Sequence, residues 1–170
     1  MSARLEPPGT ERIPLGILVE RRPATSTWAE HSWRVAEALE APPDLPPWTV
    51  LREEAGRTLF FAGLVEVALH PTDTPNYLEN LAADPPRLFV VLRPGDREPG
   101  MALLTATVDV GEAQLFADAG ADLLESLPMP SGLSEAVAAY VAAHHVERDF
   151  HKRRRDRADL EALGRRRREP

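Results

Sequence analysis

Proline and glycine cut this chain into short pieces, and that constrains its fold more than any other feature. There are 17 prolines and 10 glycines. Between them the apolar runs are short, and none approaches the roughly 18 residues needed to span a bilayer. Ala41–Pro47 (APPDLPP) alone contains four prolines. Proline fixes φ and donates no backbone hydrogen bond, so this stretch reads as a loop. Pieces of this length, rich in branched and aromatic residues, favour strands over long helices.

The pieces can be read in order. Leu15–Glu20 (LGILVE) and Trp33–Leu39 (WRVAEAL) read as strands, and Trp48–Glu53 as a third. Glu54-Ala55-Gly56-Arg57 is a tight turn, and Thr58–Ala62 is the return arm of a hairpin. Gly63 breaks the pattern, and Leu64–His70 alternates as a further strand. Thr74–Ala82 suits a short helical turn with Pro75 near its start. Arg87–Arg93 (RLFVVLR) is the most continuous apolar strand, expected to be central, and Met101–Val108 and Leu123–Leu127 are two more.

Two stretches carry clear helix signals. Asp109 with Glu112 three residues on fits a capping box, and Gly120 supplies a left-handed stop, which predicts a helix over Val110–Ala119. Leu133, Val137, Val141 and His145 fall at four-residue spacing, which predicts an amphipathic helix over Ser134–Val146. The expected fold is α+β: a mostly antiparallel sheet or small barrel with two helices. Residues 1–12 are expected to form a disordered lead-in, 13–146 a single domain, and 147–170 a basic Arg-rich tail.

Charge divides the chain in the same way. Residues 1–147 hold 10 Lys+Arg against 22 Asp+Glu, a net of −12, and residues 148–170 hold 10 against 5, a net of +5. An acidic body therefore carries a basic tail. Its positive runs are Lys152-Arg153-Arg154-Arg155 and Arg165-Arg166-Arg167-Arg168. These eight residues are the candidate partner-binding set, suited to an acidic protein surface. Nucleic acid is the weaker fit, because no aromatic residues for base stacking are interleaved with the arginines.

Local catalytic motifs are absent: no GxxxxGK[ST] phosphate loop, GxGxxG, HExxH or GxSxG occurs. With no cysteine, thiolate metal sites, disulfides and thiol nucleophiles are excluded for this chain. His144, His145 and His151 are weak metal candidates. Adjacent helical residues point about 100° apart, so His144 and His145 suit packing or the helix dipole better than shared ligation. A polar cluster around Asp73, Asn76, Tyr77, Asn80 and Asp84 is the alternative site, against a simpler reading as a capped turn. Trp28, Trp33 and Trp48 suit packing of a small sheet. No cofactor is implied. The polar, Pro-rich N-terminus lacks a secretory pattern, so a cytoplasmic location is expected.

Several segments together resemble an uncharacterised bacterial family, DUF3305. They are GILVERRPATSTWAEHSWRV (Gly16–Val35), PPWTVLREEAG (Pro46–Gly56), NYLENLAADPPRLFVVLR (Asn76–Arg93), ESLPMP (Glu125–Pro130) and VAAYVAAHHVERDFHKRRR (Val137–Arg155). The family's genes typically neighbour those of molybdenum-dependent formate dehydrogenases and their maturation factors. The resemblance therefore implies a non-catalytic accessory protein supporting maturation or assembly of such an enzyme, with that enzyme or its maturation factors as partner. Two alternatives stand beside it: an enzyme of molybdenum cofactor metabolism with its site around Asp73–Asp84, and a nucleic-acid-binding module acting through the tail. Some relatives carry a molybdopterin-guanine dinucleotide biosynthesis label. A nucleotidyltransferase of that type opens with a Gly-rich phosphate loop, whereas LGILVE leads into RRPATSTW, which has no glycine.

Overall fold

A computed structural model describes residues 6–147. Seven strands form two antiparallel sheets. The first contains β1 (Glu11–Pro23), β2 (His31–Leu39), β3 (Thr49–Glu54) and β4 (Arg57–Leu69), in the order β2-β1-β4-β3. The second contains β5 (Arg87–Pro94), β6 (Met101–Thr107) and β7 (Leu123–Pro128), in the order β6-β5-β7. Every pairing is antiparallel. Strand β4 packs on β6 and β2 on β7, so the sheets meet without closing into a barrel. The expected α+β antiparallel class holds. As expected, β5 is central in its sheet.

Three helices complete the described residues, one more than expected. They are α1 (Thr74–Leu81), α2 (Val110–Ala119) and α3 (Ser131–His144), with one 3-10 turn at Pro71–Asp73. The segment read as a short turn is thus two full turns of helix.

Strand β1 starts at Glu11, inside the expected lead-in, because its pairing with Leu69 satisfies backbone groups well before the apolar run begins. The 54–57 turn is as expected. Ala55 and Gly56 have φ of 50° and 76°, the left-handed pair that matches the twist of a two-residue hairpin.

The two strands expected on either side of Gly63 are one. Gly63 adopts a φ of 133°, and the pairing with β1 slips by a residue beside it. A bulge re-aims a strand without ending it. The break signal is real, and its consequence is a bend.

The predicted helix cap at Asp109 is present. Its side chain accepts from the N–H groups of Gly111 and Glu112, and Gly120 closes the helix at φ 67°. The N–H of Asp109 donates to Thr107 Oγ1, the bond a capping-box Glu112 would otherwise receive.

Helix α3 begins three residues earlier than expected and ends at His144. His145 is extended there, with its N–H bonded to the Val141 carbonyl. One core collects alternating positions of both sheets: Leu15, Ile17 and Val19 from β1, Val65, Val67 and Leu69 from β4, and Leu88, Val90 and Leu92 from β5. Leu133, Val137 and Val141 of α3 join it, as the helical spacing predicts.

Candidate functional site

The 73–84 segment lies on and around α1, and its side chains are engaged by the fold. Asn80 is buried and makes three bonds. Its Nδ2 donates to the carbonyls of Arg87 at 2.7 Å and Val108 at 2.8 Å, and its Oδ1 accepts from the Arg87 N–H at 2.8 Å. One amide side chain thus joins α1 to β5 and to the residue after β6. Asn76 Nδ2 donates to Asp109 Oδ1 at 2.7 Å, tying α1 to the cap of α2.

Tyr77 is buried, and its hydroxyl accepts from the His70 N–H at 2.9 Å. Burial pushes its phenol well above the ordinary range. Asp73 accepts from Thr72, and Asp84 is exposed beyond the end of the helix. Asn76, Tyr77 and Asn80 are therefore brought together as structural bonds.

The histidines sit at the same end of the molecule and diverge. His144 stacks on Tyr140 with centroids 4.3 Å apart, whereas His145 Nδ1 lies 3.0 Å from Thr74 Oγ1. The Tyr140 hydroxyl donates to the Gly9 carbonyl at 2.7 Å, and Thr10 Oγ1 lies 3.0 Å from His70 Nδ1. These contacts fasten the chain before β1 to α3 and to the residue that follows β4. Thr74 Oγ1 donates its proton to the Pro71 carbonyl, so the His145 contact is read as Nδ1–H donating to Thr74. Among the described residues, no three His, Asp or Glu side chains come together as a metal-holding group. His151 and the partner-binding candidates Lys152–Arg155 and Arg165–Arg168 lie outside the described residues.

The far end of β1 carries a different arrangement. Register places Arg21 opposite Trp33 on β2 and Thr58 on β4. The Arg21 guanidinium lies 5.3 Å from the Phe60 ring centre and 5.8 Å from that of Trp33. Trp48 meets Trp33 and Phe60 edge-on at 6.1 and 5.7 Å. Two open clefts of about 290 and 410 Å³ flank Arg21, with Glu98 and Pro99 lining both. Glu53 lines one, and Glu30 and Asp96 line the other. The sequence offers Trp28, Trp33 and Trp48 as packing residues; Trp33 and Trp48 are, whereas Trp28, in the connection between β1 and β2, is 95% exposed and packs on nothing in the core. It does not single out Arg21, because the meeting of β1, β2, β4 and the 94–100 loop depends on register.

The DUF3305 family model, described as a protein of unknown function, matches residues 14–154. The chain belongs to this family. The DUF3305 match covers every strand and helix described above except the first three residues of β1, and continues past α3. No curated protein and no solved structure matches the chain. Among the described residues, no helix is long and apolar enough to cross a membrane.

Proposed function

We propose that this chain is a non-catalytic accessory protein that docks on a protein partner and supports maturation or assembly of a molybdenum-dependent formate dehydrogenase. The observation that supports the non-catalytic reading is the engagement of Asn76, Tyr77 and Asn80 within the 73–84 segment. Asn76, Tyr77 and Asn80 are spent on the fold, so the densest polar cluster in the sequence is left with little to offer a substrate. The choice of formate dehydrogenase rests on the gene neighbourhood that the resemblance in the sequence implies.

Mechanistically, the two sheets and three helices supply a rigid body, and the arginine runs beyond residue 147 supply charge. Ten basic residues in that segment would steer encounter with an acidic surface, raising the association rate more than the affinity. The test is co-purification from the native host using tagged full-length chain, read by mass spectrometry. A formate dehydrogenase subunit or maturation factor should be enriched at low salt and depleted near about 0.5 M salt, where exposed charges are strongly screened. Failure to enrich either one overturns the proposal.

A further inference from the structure

The far end of β1 carries an aromatic wall with a guanidinium already against it. The wall is Trp33, Trp48 and Phe60, and the guanidinium is that of Arg21. Arginine favours such faces because its planar cation is weakly hydrated and attracted by the ring quadrupole. Arg21 is outnumbered: Glu30, Glu53, Asp96 and Glu98 line the same pair of clefts. All four carboxylates are exposed, and none is in an ion pair among the described residues. The partly exposed Trp33 and Trp48 thus give the groove an aromatic wall and the carboxylates an anionic rim, and the complementary ligand is a run of arginines.

This chain carries two such runs, and geometry separates them. Helix α3 ends beside Gly9, just before the first residue of β1, whereas Arg21 lies ten residues along that strand. At about 3.3 Å per residue the two ends are about 33 Å apart. From His144, Arg155 is eleven residues on and spans that distance only when every residue is fully extended, at about 36 Å. Arg165 is 21 residues on and spans it with slack, at about 69 Å fully extended.

We propose that the second arginine run, Arg165–Arg168, docks in cis on the Trp33–Trp48–Phe60 groove between the carboxylates of Glu53 and Glu98. Tethering makes the contact effectively intramolecular, so weak ionic and cation–π terms suffice without a large interface. The docked run is held back from other acidic surfaces, and a partner must displace it. This goes beyond the accessory role proposed above and does not depend on which enzyme the partner is.

The test uses the full chain and its three tryptophans, read as indole N–H resonances in ¹H–¹⁵N NMR. The wild type is compared with R165Q/R166Q/R167Q/R168Q and with K152Q/R153Q/R154Q/R155Q. At low salt, the Trp33 and Trp48 resonances should move in the first variant and move far less in the second. The wild-type and first-variant positions should converge near about 0.5 M NaCl. Backbone dispersion reports separately that each variant is folded.

Identical Trp33 and Trp48 positions in the wild type and the first variant overturn the proposal. So does an equal movement in the second variant, because that run spans the distance only when stretched to its full length. Dilution must leave the difference unchanged. A difference that fades on dilution assigns the run to a second copy of the chain and refutes docking in cis.

Discussion

Replacing Asn80 by alanine should destabilise the protein by about 3–5 kcal/mol. The side chain is 2% exposed and makes three bonds of 2.7–2.8 Å to the N–H of Arg87 and the carbonyls of Arg87 and Val108. Alanine removes all three and leaves up to three backbone groups without that partner. Each orphaned buried group costs about 1–3 kcal/mol. Water reaching Arg87, which is only half-buried, offsets part of the sum. Domains of this size are stable by about 5–15 kcal/mol, so the loss is a large fraction of the total.

Asn80→Asp keeps the shape and one acceptor but presents a carboxylate to two carbonyl oxygens. At neutral pH it should be worse than alanine, because a buried charge facing acceptors is more costly than an unmade bond. Urea denaturation at pH 7 measures both, with the transition midpoint falling at constant slope. A loss under about 1 kcal/mol for Asn80→Ala would refute the structural assignment and return Asn80 to the pool of functional residues.

Val137, fully buried on α3, should not tolerate Asp: an unpaired core charge costs several kcal/mol, visible as a large drop in Tm. A Cβ at Gly16 would lie 2.6 Å from Pro42 Cβ and 3.0 Å from the Phe61 ring, so Gly16→Ala should cost about 1–3 kcal/mol in the same urea assay. Both tyrosines, Tyr77 and Tyr140, have phenols raised by burial, and the chain has only these two. The unfolded chain loses these protons near pH 10, before the folded one does. Stability therefore falls as pH rises above about 10, and phenolate absorbance should rise at higher pH in the folded protein than in the unfolded chain. Truncation after Asp149 should leave Tm nearly unchanged and lower the partner on-rate at low salt in stopped-flow mixing, with the difference shrinking as salt rises.

What the sequence makes legible is local. Asp109, Gly120 and the Ala55-Gly56 turn announce themselves because each motif needs only its neighbours in the chain. The Leu133–Val137–Val141 stripe is legible for the same reason: its burial follows from helical period alone. Gly63 shows where that stops. Glycine marks a change of direction, but whether the chain ends a strand or bulges within one is decided by the pairing of β4 with β1.

The helix stripe stops at His145 because the backbone turns extended there, and its ring then meets Thr74, 71 residues earlier. Asn80 is a polar residue whose bonds go to Arg87 and Val108, seven and 28 residues away, so its role cannot be read before the fold is known. Arg21 is the same case in the other direction. It stands in a run of two arginines with nothing local to distinguish it from Arg22. Register then sets Arg21 against Trp33 and Phe60, while Arg22 pairs with Glu20.

The accessory role is tested most directly by formate dehydrogenase activity in a host lacking this gene. Molybdenum content of the purified enzyme is measured alongside, with the enzyme's transcript level as control. The account predicts that activity and metal content fall together while transcript is unchanged. Full-length chain should restore them, as should a variant whose Asp73 and Asp84 are replaced by asparagine. Undiminished activity and metal content in the deletion host would contradict the account, and so would complementation that depends on those two carboxylates.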